Sequence, residues 1–209
     1  LTVKLRIVVL QKEKNMANSS TIGFGLRPIK KVGQNDNNEG LTEYNVAAAS
    51  NAMFQNDGVV ATATGDIAIG AAGNTLIGSL NGVFFTDANT SKPTFANNLL
   101  AANAATDIVA FVNDDPYQMF EIRSNAAGAS LATDVFNNAD MAVTAGVANV
   151  NGLSRSTLND ATLTGGGVGS AQLKIVGLSR DPDNQDLTVA GTVWRVLINE
   201  HFLKATASI

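Results

Sequence analysis

Leu187-Thr-Val-Ala-Gly-Thr-Val-Trp-Arg-Val-Leu-Ile-Asn-Glu-His-Phe202 is the stretch that decides the fold. Its centre, Val193-Trp-Arg-Val-Leu-Ile198, is β-branched and aromatic, and its apolar residues fall on both faces of an extended chain. That pattern predicts a central strand with Trp194 in the core. Before it, residues 171–178 read as a second strand and Ser179–Asp186 as the polar loop between the two.

Working outward, the same reading recurs. Residues 107–112 and 117–123 flank Asn113-Asp-Asp-Pro116 and predict a hairpin, since Asp bonds nearby backbone and Pro fixes φ. Residues 77–85 contain Asn81-Gly82, the strongest short hairpin signal, and predict strand, turn and strand. Residues 42–47 and 58–62 are further short strands, with turn chemistry at Gly65-Asp66. Residues 95–106 are rich in Ala and Leu and predict a helix, and residues 130–140 could hold one or two helical turns. No internal repeat is evident. The expectation is a mainly β protein: a β-sandwich or barrel-like domain with hairpins, one or two short helices and an extended N-terminal arm.

The arm is Gly23-Phe-Gly-Leu-Arg-Pro-Ile-Lys-Lys-Val32, where Pro28 disfavours helix, followed by the polar linker Gln34-Asn-Asp-Asn-Asn-Glu-Gly40. Up to Lys31 there are seven basic residues and one acid; beyond it, seven basic against seventeen acidic residues give a net charge of −10. A basic strip ahead of an acidic body suits contact with an acidic neighbour, although a solvated tail has the same composition. It is too weakly basic and aromatic-poor for nucleic acid. The apolar run within residues 5–10 is shorter than a membrane span or signal h-region requires. Met16-Ala-Asn-Ser-Ser looks like an ordinary bacterial or phage start. Lys12-Glu13-Lys14 can be encoded with a purine-rich ribosome-binding site. Residues 1–15 therefore read as translated leader, residues 16–40 as arm and linker, and residues 41–209 as a single β-rich domain.

The chemical motifs are poor. There is no cysteine, so thiol nucleophiles, disulfides and Cys-based zinc sites are excluded. The sole histidine, His201, adjoins Glu200 at a strand end, where neighbours point to opposite faces; it reads as a partly exposed residue and not as half of a dyad. Asp181, Asp183 and Asp186 form the one dense carboxylate cluster and could gather oxygens around Ca²⁺. An EF-hand would need Gly at Asp186 and Glu at Thr192, which favours an acidic loop. Gly165-Gly-Gly-Val-Gly-Ser170 lacks the Lys and helix of a phosphate cradle and reads as a flexible loop. Ser154, Ser156, Ser170 and Ser179 lack a nucleophile-elbow context. The chain is not expected to be an enzyme or to carry a cofactor.

Several blocks in order resemble a family of tailed-phage structural proteins, the head decoration or cement proteins. They are Ala17-Asn18 with Gly23-Phe-Gly-Leu-Arg-Pro28, residues 61–72, and Leu76-Ile-Gly-x-Leu-x-Gly-Val83. Asp114-Asp-Pro-Tyr-Gln-Met-Phe-Glu-Ile122 and Asp134-Val-Phe-Asn-Asn-Ala-Asp140 follow, and then Gly152-Leu-Ser-Arg-Ser156, Leu173-Lys-Ile-Val-Gly-Leu178 and Val196-Leu-Ile-Asn-Glu-His-Phe202. The resemblance spans residues 17–203 and does not include residues 1–15. It implies a virion protein, made in the host cytoplasm and bound to the phage head, whose partners are the major capsid protein and copies of itself, with a trimer as the class expectation. It implies no membrane or nucleic-acid partner. On this reading the arm residues Phe24, Arg27, Pro28, Lys30 and Lys31 contact the capsid, and removing residues 17–33 leaves a folded body that no longer stays there. The alternatives are a tail, fibre or neck component, or a calcium- or carbohydrate-binding β module.

Overall fold

The computed structural model describes residues 20–33, 40–46, 52–101, 103–125, 130, 132–146, 151–164, 171–184, 186–187 and 189–204. Among these, fourteen strands and two single-turn 3₁₀ helices account for the regular structure, and none of it is α-helical. In chain order the strands begin with β1 (Arg27–Lys31), β2 (Thr42–Asn45), β3 (Met53–Phe54), β4 (Gly58–Ala61) and β5 (Ile67–Ile69). Then come the long β6 (Gly78–Thr86), β7 (Pro93–Ala96), β8 (Asn98–Leu99), β9 (Val109–Asn113) and β10 (Gln118–Arg123). β11 (Asn138–Ala142), β12 (Thr157–Thr164), β13 (Leu173–Leu178) and β14 (Val193–Ile198) complete the series.

The strands form two antiparallel six-stranded sheets and a two-stranded ribbon, a β-sandwich-like architecture as the sequence predicts. The first sheet runs β1-β10-β14-β13-β11-β12; the second runs β2-β9-β6-β4-β5, with β7 also on β6; β3 and β8 make the ribbon. β14 is interior to its sheet, and Trp194 is 1% exposed. Trp194 faces Ile122 and Leu178 across the ladders, and Val196 faces Phe120 and Ile175. These side chains, with Leu26, Leu158 and Leu173, form one apolar cluster. A second cluster gathers Leu80, Val83, Phe85, Ala110 and Val112 of the other sheet. β4 feeds both clusters, Val59 into the second and Val60 against the first, because successive strand residues point to opposite faces.

Three local expectations are overturned, each by a long-range partner. Asn81-Gly82 is not a turn: β6 continues through it, with a register irregularity between Leu80 and Gly82 opposite β9. The predicted hairpin of residues 107–123 does not pair with itself. β9 lies between β2 and β6 in one sheet, β10 between β1 and β14 in the other, and Asn113–Pro116 carries the chain from sheet to sheet. The described residues of 95–106 are not helical; they supply part of β7 and all of β8, and tertiary pairing overrides the Ala/Leu propensity. Among the described residues of 130–140, the single 3₁₀ turn Ala132–Asp134 is the helical element before β11 begins. Gly65 does occupy a turn, at φ +84°, between β4 and β5.

Asp57 is a carboxylate buried to 1% exposure in the tight turn between β3 and β4. The Phe54 amide donates to its Oδ2 (2.8 Å), while Oδ1 has no hydrogen-bond partner. Burial pushes its pKa up to about 6, more than the nearby Ser154 and Ser156 hydroxyls pull it down. Above pH 6 the folded protein therefore carries a charge that the unfolded chain solvates better. This penalty fades as pH falls towards the ordinary carboxylate value, because the folded state takes up its proton first. Asp57→Asn keeps an acceptor for Phe54 and is expected to stabilise the protein by about 2 kcal/mol at pH 7, with the gain vanishing near pH 4. Urea denaturation of both proteins at the two pH values measures it; an equal gain at both would refute the buried charge.

Candidate interaction surface

Phe84 and Phe85 are adjacent on β6, so one must point inward and one outward. Phe85 enters the second cluster at 7% exposure; Phe84 points out at 40%. Opposite Phe84 across the β6–β7 ladder is Phe95, 60% exposed, and across the β6–β9 ladder is Val109. Phe111 on β9 faces Gly82. The missing side chain at Gly82 leaves the space over which the Phe95 ring lies: a Cβ there would sit 2.8 Å from its Cζ. Phe95 thereby reaches Phe111, ring centroids 5.7 Å apart and tilted by 50°. Covering a sheet glycine with an aromatic from the neighbouring strand stabilises the sheet. Here it also assembles a continuous apolar face from Phe84, Phe95, Phe111 and Val109. Glu43 borders it, paired with Phe111 from β2. Contiguous exposed apolar surface of this kind marks interaction sites.

The predicted arm is extended, but its ladder partner is its own chain. β1 pairs antiparallel with β10, Pro28 facing Phe120 and Lys30 facing Met119. Arg27 bonds Glu121 (2.6 Å), and Glu121 also faces Arg195 and accepts a hydrogen bond from the Ser179 hydroxyl (2.6 Å). Lys31 pairs with Asp115 at 2.7 Å, and the Lys30 carbonyl accepts from the Gln118 side chain. The guanidinium groups of Arg27 (4.7 Å to the ring centroid) and Arg123 (5.5 Å) both lie over the Phe24 ring. Arg123 also donates to the Ser20 carbonyl. The strip is thus an edge strand of its own sheet and not a free tail, and the Arg27 and Lys30 side chains remain exposed on it. The strip's partners, at positions 115–123, are distant in sequence. The linker residues 34–39, the predicted leader 1–15 and the glycine-rich loop 165–170 lie outside the described residues.

The calcium candidates do not converge. Asp181 accepts from the Asp183 amide (3.0 Å), an ordinary loop bond. Both residues line a small cleft together with Arg27 and Arg123, where burial and then Arg27 lower the Arg123 pKa and Asp181 partly offsets them. Asp186 is 7% exposed. Among the described residues, no three His, Cys, Asp or Glu side chains are placed to hold a metal ion.

His201 is 2% exposed, not partly exposed as its strand-end position suggested. Its Nδ1 accepts from the Leu203 amide, which fixes the ring. Burial lowers its pKa to about 4, and Lys204 adds to this, outweighing Asp114 and Asp115. The ring is therefore neutral in the folded protein, and His201 contributes stability above the ordinary histidine value that is lost as pH falls. Burial raises the carboxyl of its neighbour Glu200. Ser154, Ser156 and Ser179 are buried and engaged in structural hydrogen bonds: Ser154 Oγ accepts from the Ser156 amide, and Ser156 Oγ from the Thr144 amide. Ser170 lies outside the described residues.

Comparison with known proteins finds no matching family model, no matching curated protein and no matching solved structure.

Proposed function

We propose that this chain is a structural protein of a phage virion, a decoration or cement protein that binds the assembled head shell and stabilises it. The ordered resemblance across residues 17–203 supports the class. The observation that carries the reading is the outward aromatic face of the second sheet, where Phe84 and Phe95 are 40% and 60% exposed on a hydrogen-bonded four-strand platform. A rigid apolar face loses little entropy on docking, and aromatic residues dominate interface energetics. With the arm engaged in its own sheet, this face is the better candidate for capsid contact. The partners are then the major capsid protein and further copies of the chain. A protein that binds only the assembled shell stabilises that state by mass action, and symmetry multiplies each weak contact.

Heads lacking the protein, incubated with purified chain and sedimented, test the proposal. The wild type is expected to co-sediment in fixed proportion to the major capsid protein. The doubly substituted Phe84→Ser/Phe95→Ser protein, whose changed side chains are outside both cores, is expected to stay folded, with melting lowered only by the loss of the Phe95 cover over Gly82, and to bind about 10- to 100-fold more weakly. Undiminished binding of the variant would remove this face from the mechanism. Failure of the wild type to bind heads, with recovery on tails instead, would replace the decoration role by the tail reading.

A further inference from the structure

On the side of β6 opposite the aromatic face, a cleft of about 410 Å³ opens beside β7 and β8. Phe85 and Ala96 give it an apolar floor and Leu100 an apolar rim, while Asp87, Asn89, Asn98 and Asn103 supply polar groups. Several hundred Å³ with an apolar lining and a few convergent polar groups is the size and character of a small-molecule site.

Two of the polar groups, Asp87 and Asn103, are held in place by nearby amides. Asp87 Oδ1 accepts from the Asn89 and Thr90 amides (3.0 and 2.8 Å) and from the Thr90 hydroxyl (3.0 Å). These bonds hold its carboxyl below the usual range, so the group is ionised. Asn103 Oδ1 accepts from the Ala105 amide (2.9 Å), which orients the side chain and leaves its NH₂ to donate. Asn98 is anchored through its backbone, opposite Phe54 in the β3–β8 ribbon. Neither the Asn98 nor the Asn89 side chain makes a hydrogen bond among the described residues. Leu100 stands at the mouth, 50% exposed.

The chemistry narrows the ligand. The lining holds one carboxylate and no Lys, Arg or His, so an anion would meet repulsion with nothing to offset it. A single carboxylate is also a poor cage for a bare metal ion. Amides donate and accept at adjacent atoms, as do neighbouring hydroxyls on a ring, and a carboxylate accepts from two of them. The C–H face of such a ring suits the apolar surface of Phe85, Ala96 and Leu100. We infer that this cleft binds a neutral polyhydroxylated ligand, a saccharide unit, independently of any attachment to a shell.

Amide chemical-shift titration of the full chain with maltotriose, cellotriose and chitotriose tests the inference. At least one sugar is expected to shift resonances of residues 85–104 saturably, in the millimolar range. Asn98→Ala and Leu100→Ala, each at an incompletely buried position, are expected to weaken that binding by about fivefold or more, with melting unchanged. Phe84→Ser/Phe95→Ser is expected to bind the sugar like wild type, which separates this site from the proposed shell contact. No perturbation by any of the three sugars would overturn the inference. So would shifts confined to other regions, or shifts that both cleft variants leave intact.

Discussion

Replacing Trp194 by Ala is expected to cost about 3–5 kcal/mol of folding free energy, a large share of the roughly 5–15 kcal/mol that holds a domain together. The magnitude follows from position. β14 is flanked on both sides, by β10 and β13, and the indole meets Ile122 on one neighbour and Leu178 on the other. At 1% exposure it borders the cluster containing Phe120, Leu173 and Val196, so truncation leaves a cavity walled by three strands of one ladder. Backbone hydrogen bonds fix those strands, and the walls can collapse only by breaking them. Trp194→Phe keeps most of the volume and is expected to cost about 1–2 kcal/mol. Urea denaturation followed by far-UV circular dichroism measures both, since the variants lack the chain's one tryptophan as a fluorescent reporter. A loss below about 1 kcal/mol for the Ala variant would mean that β14 is not the spine of its sheet.

That strand was legible in the sequence because its signal is local: Val193–Ile198 is a short β-branched and aromatic run, apolar on both faces, bounded by polar residues. Where the reading failed, the deciding atoms lay far along the chain. Asn81-Gly82 has turn chemistry, but Gly82 is glycine because the Phe95 ring needs the space, and thirteen residues separate them. Asn113-Asp-Asp-Pro116 does link two strands, yet no local feature says whether those strands pair with each other or enter two different sheets. The choice depends on β6 and β14 having claimed the neighbouring edges. The aromatic face was half legible. Two adjacent phenylalanines in a strand must send one ring outward, and Phe84-Phe85 carried that information unread. The partnership with Phe95 was hidden, because residues 95–106 have helical composition and only the ladder to β6 makes Phe95 a cross-strand neighbour.

The arm shows the same limit, and it carries the second large effect. Gly25→Ala is expected to cost about 2–5 kcal/mol, the sum of left-handed backbone strain of about 1–2 and overpacking of about 1–3 kcal/mol. Gly25 has φ +72°, and a Cβ there would stand 2.2 Å from the Asn56 carbonyl oxygen and 2.7 Å from Ser154 Cβ. The obstructing oxygen is backbone and cannot rotate away. It is held in turn by the Leu26 amide at 2.8 Å, while the Gly25 amide donates to the Ser156 carbonyl at 3.0 Å. Leu26, beside it, is fully buried in the first cluster, and its carbonyl accepts from Ser79 on β6 of the second sheet. The strip is therefore inlaid where the two halves of the molecule meet. Gly33 is the internal control. It has nearly the same φ, +73°, but open space where its Cβ would go, so Gly33→Ala is expected to cost only the strain, about 1–2 kcal/mol. Equal losses at the two positions would show that the strip is not inlaid. If Gly25→Ala is the costlier by the margin expected, removal of residues 17–33 cannot leave an intact body, because it deletes β1, the Leu26 plug and the bonds to Asn56 and Ser156 together. A truncated chain that lost its hold on capsids would then have lost its fold first. Attachment to a shell must accordingly be tested with point changes on the aromatic face, where Phe84 and Phe95 lie outside both core clusters.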